Sequence, residues 1–308
     1  KLLSALSSIA RVMENNEIDL MPFKGPMLGK LLYDDPGMRV SRDLDLLVNE
    51  ADLPKVMDCL FKLDYQLPPE TTPIAYKAIR RYGGQYIIFH KESEVAVEPH
   101  WNLTPTTVSY NLDYKALWKR SEIVSLNGIS IRKPAPEDYF LMLCIHGAKE
   151  DWPSLKPIVD LAHFIQMHRQ LNWGLAIKNA QQQGVLRIVK VGLELTTRCQ
   201  LVTLPSALLN ILKQDETAQS LALEVLDRIV KDTVIERNIY TLSWFQYRQR
   251  ERFSDKIRYI WLTITTPRAI HYEIVVLPKC LYWCYPFIKV IHDYIVLPIW
   301  LVWKEEIC

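Results

Sequence analysis

GMRVSRDLDLLVNE, residues 37–50, sets two aspartates, Asp43 and Asp45, at the start of an apolar run. The run LDLLV has the length and make-up of a buried strand, and a core strand gains nothing from two negative charges. Side chains two apart on a strand share a face, so Asp43 and Asp45 project together while Leu44 and Leu46 enter the core. Two carboxylates on one side suit one hard divalent cation, which takes carboxylate oxygens, keeps several waters and bridges to substrate phosphates. A solvated strand end, or acids capping the next helix, would carry the same letters, and the pair alone does not separate these readings.

The neighbouring stretches bear on the choice. Upstream, DLMPFKG (19–25) reads as a short strand ending at Gly25, and PMLGKLLYD (26–34) as a helix with Pro26 at its favoured first position. Gly25 thus marks a strand-to-helix turn, where backbone N–H groups and a helix N-terminus can hold a phosphate. Arg39, Ser41 and Arg42 lead into the pair and offer donors to phosphate oxygens. Downstream come a helix over about 51–62, a loop rich in Pro and Thr, and two adjacent strands in GGQYIIFHK (83–91) and SEVAVEPHW (93–101). The second strand places Glu98 at its end, a third carboxylate able to complete a metal site or act as general base. Each basic residue here also reads plainly as a solvated or locally paired side chain, and His100 and His146 as packed, hydrogen-bonded residues.

The 308 residues are enough for two lobes, and 49% hydrophobic with 23% charged residues is ordinary for a folded globular chain. A net charge of +2, from 37 basic and 35 acidic residues, excludes a global pull toward nucleic acid, so any polyanion site is local. Six scattered cysteines show neither a disulfide framework nor zinc spacing, which points to a reducing, cytoplasmic setting. The opening KLLSALSSIARVMENNEIDL reads as an amphipathic helix rather than a signal peptide. EIVSLNGISIRKP (122–134) carries Asn127-Gly128, a strong hairpin signal. Beyond it the pattern is helical, over about 136–148, 154–168, 172–183, 185–200, 205–213, 216–231 and 234–262. All ten glycines lie at or before Gly192, in keeping with long helices in the last third. The expected fold is α+β: a small mixed-sheet lobe over 1–135, then a mainly helical lobe over 136–308.

Taken in order, KG (24–25), a helix, RVSRDLDLLV (39–48) and EPHW (98–101) resemble the DNA polymerase β-type nucleotidyltransferase superfamily. The closer resemblance is to its uncharacterised nucleotidyltransferase family, with K-G, R-x-x-x-D-[IL]-D-L-L-V, E-x-H-W and a helical H-G-x-K-x-x-W motif. The last stands here as HGAKEDWPSLKPIVDLA (146–162), and the motifs span roughly residues 20–165. The resemblance implies Mg²⁺ or Mn²⁺ on Asp43, Asp45 and Glu98, with a nucleoside triphosphate as co-substrate. It makes Gly25 the phosphate-facing turn, with Lys24 and Pro26 replacing the second small residue of the wider superfamily, and sets Lys149 and Lys156 on the phosphates. Asp160, four residues after Lys156, is spaced to hold that lysine across one helical turn. The acceptor stays open among small molecules, peptides, proteins and tRNA. Two rivals also remain: a tailoring transferase using another activated donor such as a nucleotide sugar, and a toxin-like or regulatory nucleotide-binding module.

SWFQYRQRERFSDKIRYIW (243–261) interleaves cations with aromatics, which reads as an amphipathic helix or as a surface for a polyanionic acceptor. The last stretch, residues 274–306, is strongly apolar, but Pro278, Pro286 and Pro298 and several charges break it, so no membrane span is expected. Short helices docking on the C-terminal lobe, a dimer contact, or a patch for a hydrophobic partner or membrane surface all fit it.

Overall fold

The computed structural model describes residues 1–108, 110–126, 128–232 and 241–298. The first part runs α1 (Leu2–Asn15), β1 (Leu20–Pro22), α2 (Gly25–Tyr33), β2 (Asp43–Val48), α3 (Leu53–Lys62), β3 (Tyr65–Gln66), α4 (Pro73–Tyr82), β4 (Ile88–His90) and β5 (Ala96–His100). Its five strands form one mixed sheet in the order β1-β2-β5-β4-β3, in which β2 and β5 pair parallel and the other pairs are antiparallel. After α5 (Tyr114–Arg120), a separate hairpin of β6 (Glu122–Leu126) and β7 (Ile129–Lys133) closes this part, with Asn127 outside the described residues.

The alternation expected of residues 43–48 sets the architecture. Leu44, Leu46 and Val48 join Leu6, Ile9 and Met13 of α1 and Val56, Met57 and Leu60 of α3 in one apolar cluster. Leu47 faces the other way, into a cluster with Met21, Phe23 and Leu28, and shares that face with Asp43 and Asp45. Burial on both faces explains why the strand reads as nearly continuous Leu and Val, with polar residues only where the second face opens.

The helical part follows: α6 (Pro136–Lys149), α7 (Leu155–Met167), α8 (Trp173–Gln183), α9 (Leu186–Arg198), α10 (Ser206–Lys213) and α11 (Glu216–Val230). Strands give way to helices near residue 135, but the apolar core runs across that point, since Met21, Phe23 and Leu47 share a cluster with Tyr139, Phe140 and Leu143 of α6. Tyr139 also donates its hydroxyl to the Phe23 carbonyl at 2.5 Å, tying α6 to the end of β1.

The HGAKEDW stretch ends α6 and turns sharply. Asp151 (φ 58°) and Trp152 (φ 52°) both adopt the left-handed region, a strained arrangement for non-glycine residues. The Trp152 N–H donates back to the Gly147 carbonyl at 2.8 Å, and its ring folds into the core over Gly147, where a Cβ would lie 2.5 Å from ring carbon Cζ3. The H-G-x-K-x-x-W spacing is therefore partly a packing device: the glycine makes room for the tryptophan that fixes the end of α6. Gly147→Ala is expected to cost about 1–3 kcal/mol of stability through overpacking, read as a lower urea midpoint with unchanged far-UV circular dichroism.

The structure departs from the expected pattern in three places. In place of the single helix expected over 234–262, whose first residues 234–240 lie outside the described ones, there are α12 (Trp244–Arg248) and α13 (Phe253–Thr265). The break occurs because Arg250 turns inward, donating to the Val108 carbonyl and stacking 3.9 Å from the Tyr259 ring centroid. The loop expected after α3 contains α4, capped by Thr72, whose hydroxyl accepts from the Ala75 N–H, with Pro73 in the first turn. The final elements are α14 (Ala269–Ile274), a 3₁₀ turn (Lys279–Cys284), α15 (Tyr285–Ile291) and a π-helical turn (His292–Val296). They dock partly on the first part of the chain, where Tyr272 and Tyr285 bury Ala78 of α4 and Thr72 donates to Glu273 at 3.0 Å. Among the described residues no helix is long and apolar enough to cross a membrane.

Candidate active site

The parallel pairing of β2 with β5 sets Asp45 directly opposite Glu98 and Asp43 opposite Ala96. The open end of these two strands forms one wall of a cleft of about 310 Å³. Lys24, Asp43, Asp45, Gln85 and Glu98 line that wall, while His146, Lys149 and Glu150 of the α6 end and Ser154, Lys156 and Asp160 around α7 line the other. Three carboxylates and Lys24 gather at the sheet, and Lys149 and Lys156 stand on the helix wall beside Glu150 and Asp160.

Asp45 is the centre of the sheet wall. Only 2% of it is exposed, and its Oδ1 lies 2.7 Å from Lys24 Nζ and 3.3 Å from His100 Nε2. Burial alone would raise this carboxyl, but the Lys24 ammonium, with help from His100, holds it well below the usual carboxylate range. Glu98 Oε2 lies 3.4 Å from the same imidazole nitrogen and accepts from Gln85 Nε2 at 2.6 Å. One ligand atom each from Asp45, Glu98 and His100 fall within 4.8 Å of one another. Asp43 stands beside this group, and burial together with the negative charges of Asp45 and Glu98 raises its carboxyl. Acids that crowd one another on one wall of the cleft, beside an imidazole, are a donor set that fits a divalent cation such as Mn²⁺ or Mg²⁺.

Gly25 is what lets α2 begin so close to β2. Its φ is +59°, and a Cβ there would sit 2.8 Å from the Asp43 carbonyl oxygen. Gly25 and Pro26 are buried in the first turn and do not line the cleft themselves. The turn is held from above by Arg39, which donates to the Gly25 carbonyl at 3.2 Å and to Ser41 Oγ at 3.0 Å, and pairs with Asp160 through Nε and Nη2 at 3.0–3.1 Å.

On the helix wall, burial and the neighbouring Lys24 and Lys149 push His146 well below its ordinary range, so the ring is neutral. Its Nε2 lies 3.5 Å from Lys24 Nζ and its Nδ1 3.7 Å from Glu150 Oε1. Burial and Lys24 likewise lower Lys149, which lies 3.8 Å from Glu150. Burial and Arg39 lower Lys156, whose Nζ donates to the Val40 carbonyl at 2.6 Å.

Of the residues singled out in the sequence, Lys24, Arg39, Asp43, Asp45, Glu98, Lys149 and Lys156 meet in this cleft, and Arg42 is exposed outside it. Asp160 takes Arg39 rather than Lys156, because a guanidinium offers a carboxylate two parallel donors and an ammonium does not. Sequence reasoning missed Gln85, which has no charge to flag it, and Gln246, whose amide donates to the Ala148 carbonyl at 2.7 Å and to Asp151 from almost a hundred residues away. The cations of 243–261 are largely used within the chain: Arg248 pairs with Glu224, Arg250 is buried, and Arg258 donates to Asn111.

A second cluster, His271, His292 and Asp293, also has metal-ligand proximity. His271 Nδ1 accepts from the Arg268 N–H at 2.9 Å, so Nε2 carries the ring proton and donates to Asp293 at 3.0 Å. The Arg268 guanidinium takes the same Asp293 oxygen at 2.5 Å, and the cluster reads as a structural ion-pair network.

A family model described as uncharacterised nucleotidyltransferase matches residues 1–200, which include β1 to β7 and both walls of the cleft. No curated protein and no solved structure matches the chain.

Proposed function

The chain belongs to the uncharacterised nucleotidyltransferase family, and from that premise we propose that it transfers a nucleoside monophosphate from a nucleoside triphosphate to an acceptor hydroxyl, releasing pyrophosphate. The observation that carries this reading is the Asp45–Glu98 register on parallel strands, with Asp43 and His100 alongside, facing Lys149 and Lys156 across one cleft. Asp45 and Glu98, with Asp43 or His100, would hold Mg²⁺ or Mn²⁺. When bound, the cation neutralises charge on the α-phosphate and makes the acceptor hydroxyl easier to deprotonate.

The rest falls to the chain's own side chains. Lys149 supplies an ammonium on the triphosphate side, where it lies 3.8 Å from Glu150 Oε1. Arg39 holds the Gly25 turn against α7 through Asp160 and so fixes the spacing of the two walls. Gln85 orients Glu98 by donating to one of its oxygens.

Calorimetric titration with a non-hydrolysable α,β-methylene nucleoside triphosphate tests the reading. The expected result is binding that needs Mn²⁺ and is weakened at least about tenfold by Glu98→Gln. Equal binding in EDTA would rule the metal-dependent mechanism out.

A further inference from the structure

Lys24 stands where a bound cation would put positive charge. Its Nζ is 2.7 Å from Asp45 Oδ1, the oxygen that lies 3.3 Å from His100 Nε2 beside the Asp45–Glu98–His100 donor set. Mg²⁺ and Mn²⁺ sit about 2 Å from a carboxylate oxygen, so a cation on Oδ1 could lie no farther than roughly 5 Å from this ammonium. Two positive centres that close, in a pocket where Asp45 is 2% exposed, are strongly unfavourable. The chain also supplies an alternative resting place: on its other side Lys24 Nζ reaches the neutral His146 ring at 3.5 Å, facing the part of the cleft lined by Lys149. Replacing both members of a buried ion pair by apolar residues spares the desolvation of both charges, so folding alone does not call for this pair.

We propose that Lys24 is a built-in counter-cation: it neutralises Asp45 while the cleft is empty, competes with the divalent ion for that carboxylate, and is drawn toward His146 and the triphosphate when the ion enters. Cation and triphosphate then load together, because the incoming phosphate charge takes the ammonium that the ion displaces. Lys24 acts here as a positioning residue. This inference rests on the metal-dependent reading above.

The test uses Mn²⁺ alone, without nucleotide, with the free ion followed by its electron paramagnetic resonance signal during titration of the full chain. Lys24→Met and Lys24→Gln, each checked for native circular dichroism, are expected to bind Mn²⁺ at least tenfold more tightly than the parent. Lys24→Arg, which keeps the charge, stays within about threefold of it. Unchanged or weaker Mn²⁺ binding in both neutral variants, beside measurable binding by the parent, overturns the competition while leaving the metal site standing. Absence of Mn²⁺ binding in the parent and both neutral variants alike removes the metal site itself, and this inference with it.

Discussion

Asp45→Asn is expected to reduce nucleotide transfer on the order of 10³-fold, since loss of a central metal ligand removes several kcal/mol of transition-state stabilisation at about 1.4 kcal/mol per decade. It is also expected to destabilise the fold. Asp45 is buried against Lys24, and removing one partner of a buried pair leaves the other charge uncompensated, at a cost of about 3 kcal/mol. The two effects separate in the double variant Lys24→Met/Asp45→Asn, which recovers most of the stability and none of the transfer. The pH dependence has a definite sign. The Asp45 carboxyl is held below its ordinary 3.8, so its contribution is present above that value and lost as pH falls below it. Lys24 is shifted the opposite way: burial would lower its ammonium, but Asp45 outweighs burial and raises it above 10.5, so its contribution is present below that value and lost as pH rises. Urea unfolding of parent and double variant at acid, neutral and alkaline pH reads this directly: toward both ends the parent loses stability relative to the double variant, which carries neither ionisable group.

Gly25→Ala carries the second largest expected effect, and it acts through the backbone. A non-glycine residue in the left-handed region costs about 1–2 kcal/mol, and the added Cβ would meet the Asp43 carbonyl oxygen at 2.8 Å. That oxygen belongs to the strand itself and cannot rotate away, so α2 and the start of β2 must separate. The carboxylates then leave their places opposite Lys149 and Lys156, and a displacement near 1 Å costs about 10²-fold in rate. Transfer assays paired with thermal unfolding should show a rate loss far larger than a modest drop in stability would give.

How much of this was legible in the sequence depends on the reach of each interaction. The strand alternation of 43–48 and the acid at Glu98 are local patterns, and the structure joins them through β2–β5 pairing across more than fifty residues. Lys24 and Lys149 were visible as motif letters, but that Lys24 would contact Asp45 was not, because a turn geometry decides it. Thr72-Pro73 is a helix-start signal that a Pro/Thr-rich loop reading concealed. Arg39 and Asp160 lie 121 residues apart, and nothing in their spacing announces a bidentate pair. The break between α12 and α13 follows from one arginine turning inward, against an otherwise helical periodicity.

Transfer from a labelled nucleoside triphosphate tests the central claim most directly. Candidate acceptors are incubated with the protein and Mn²⁺, once with label on the α-phosphate and once with label on the γ-phosphate. The account predicts α-label on an acceptor, γ-label in pyrophosphate, and neither with Asp45→Asn. Label from the γ-phosphate on the acceptor, or undiminished α-transfer by Asp45→Asn, would contradict it.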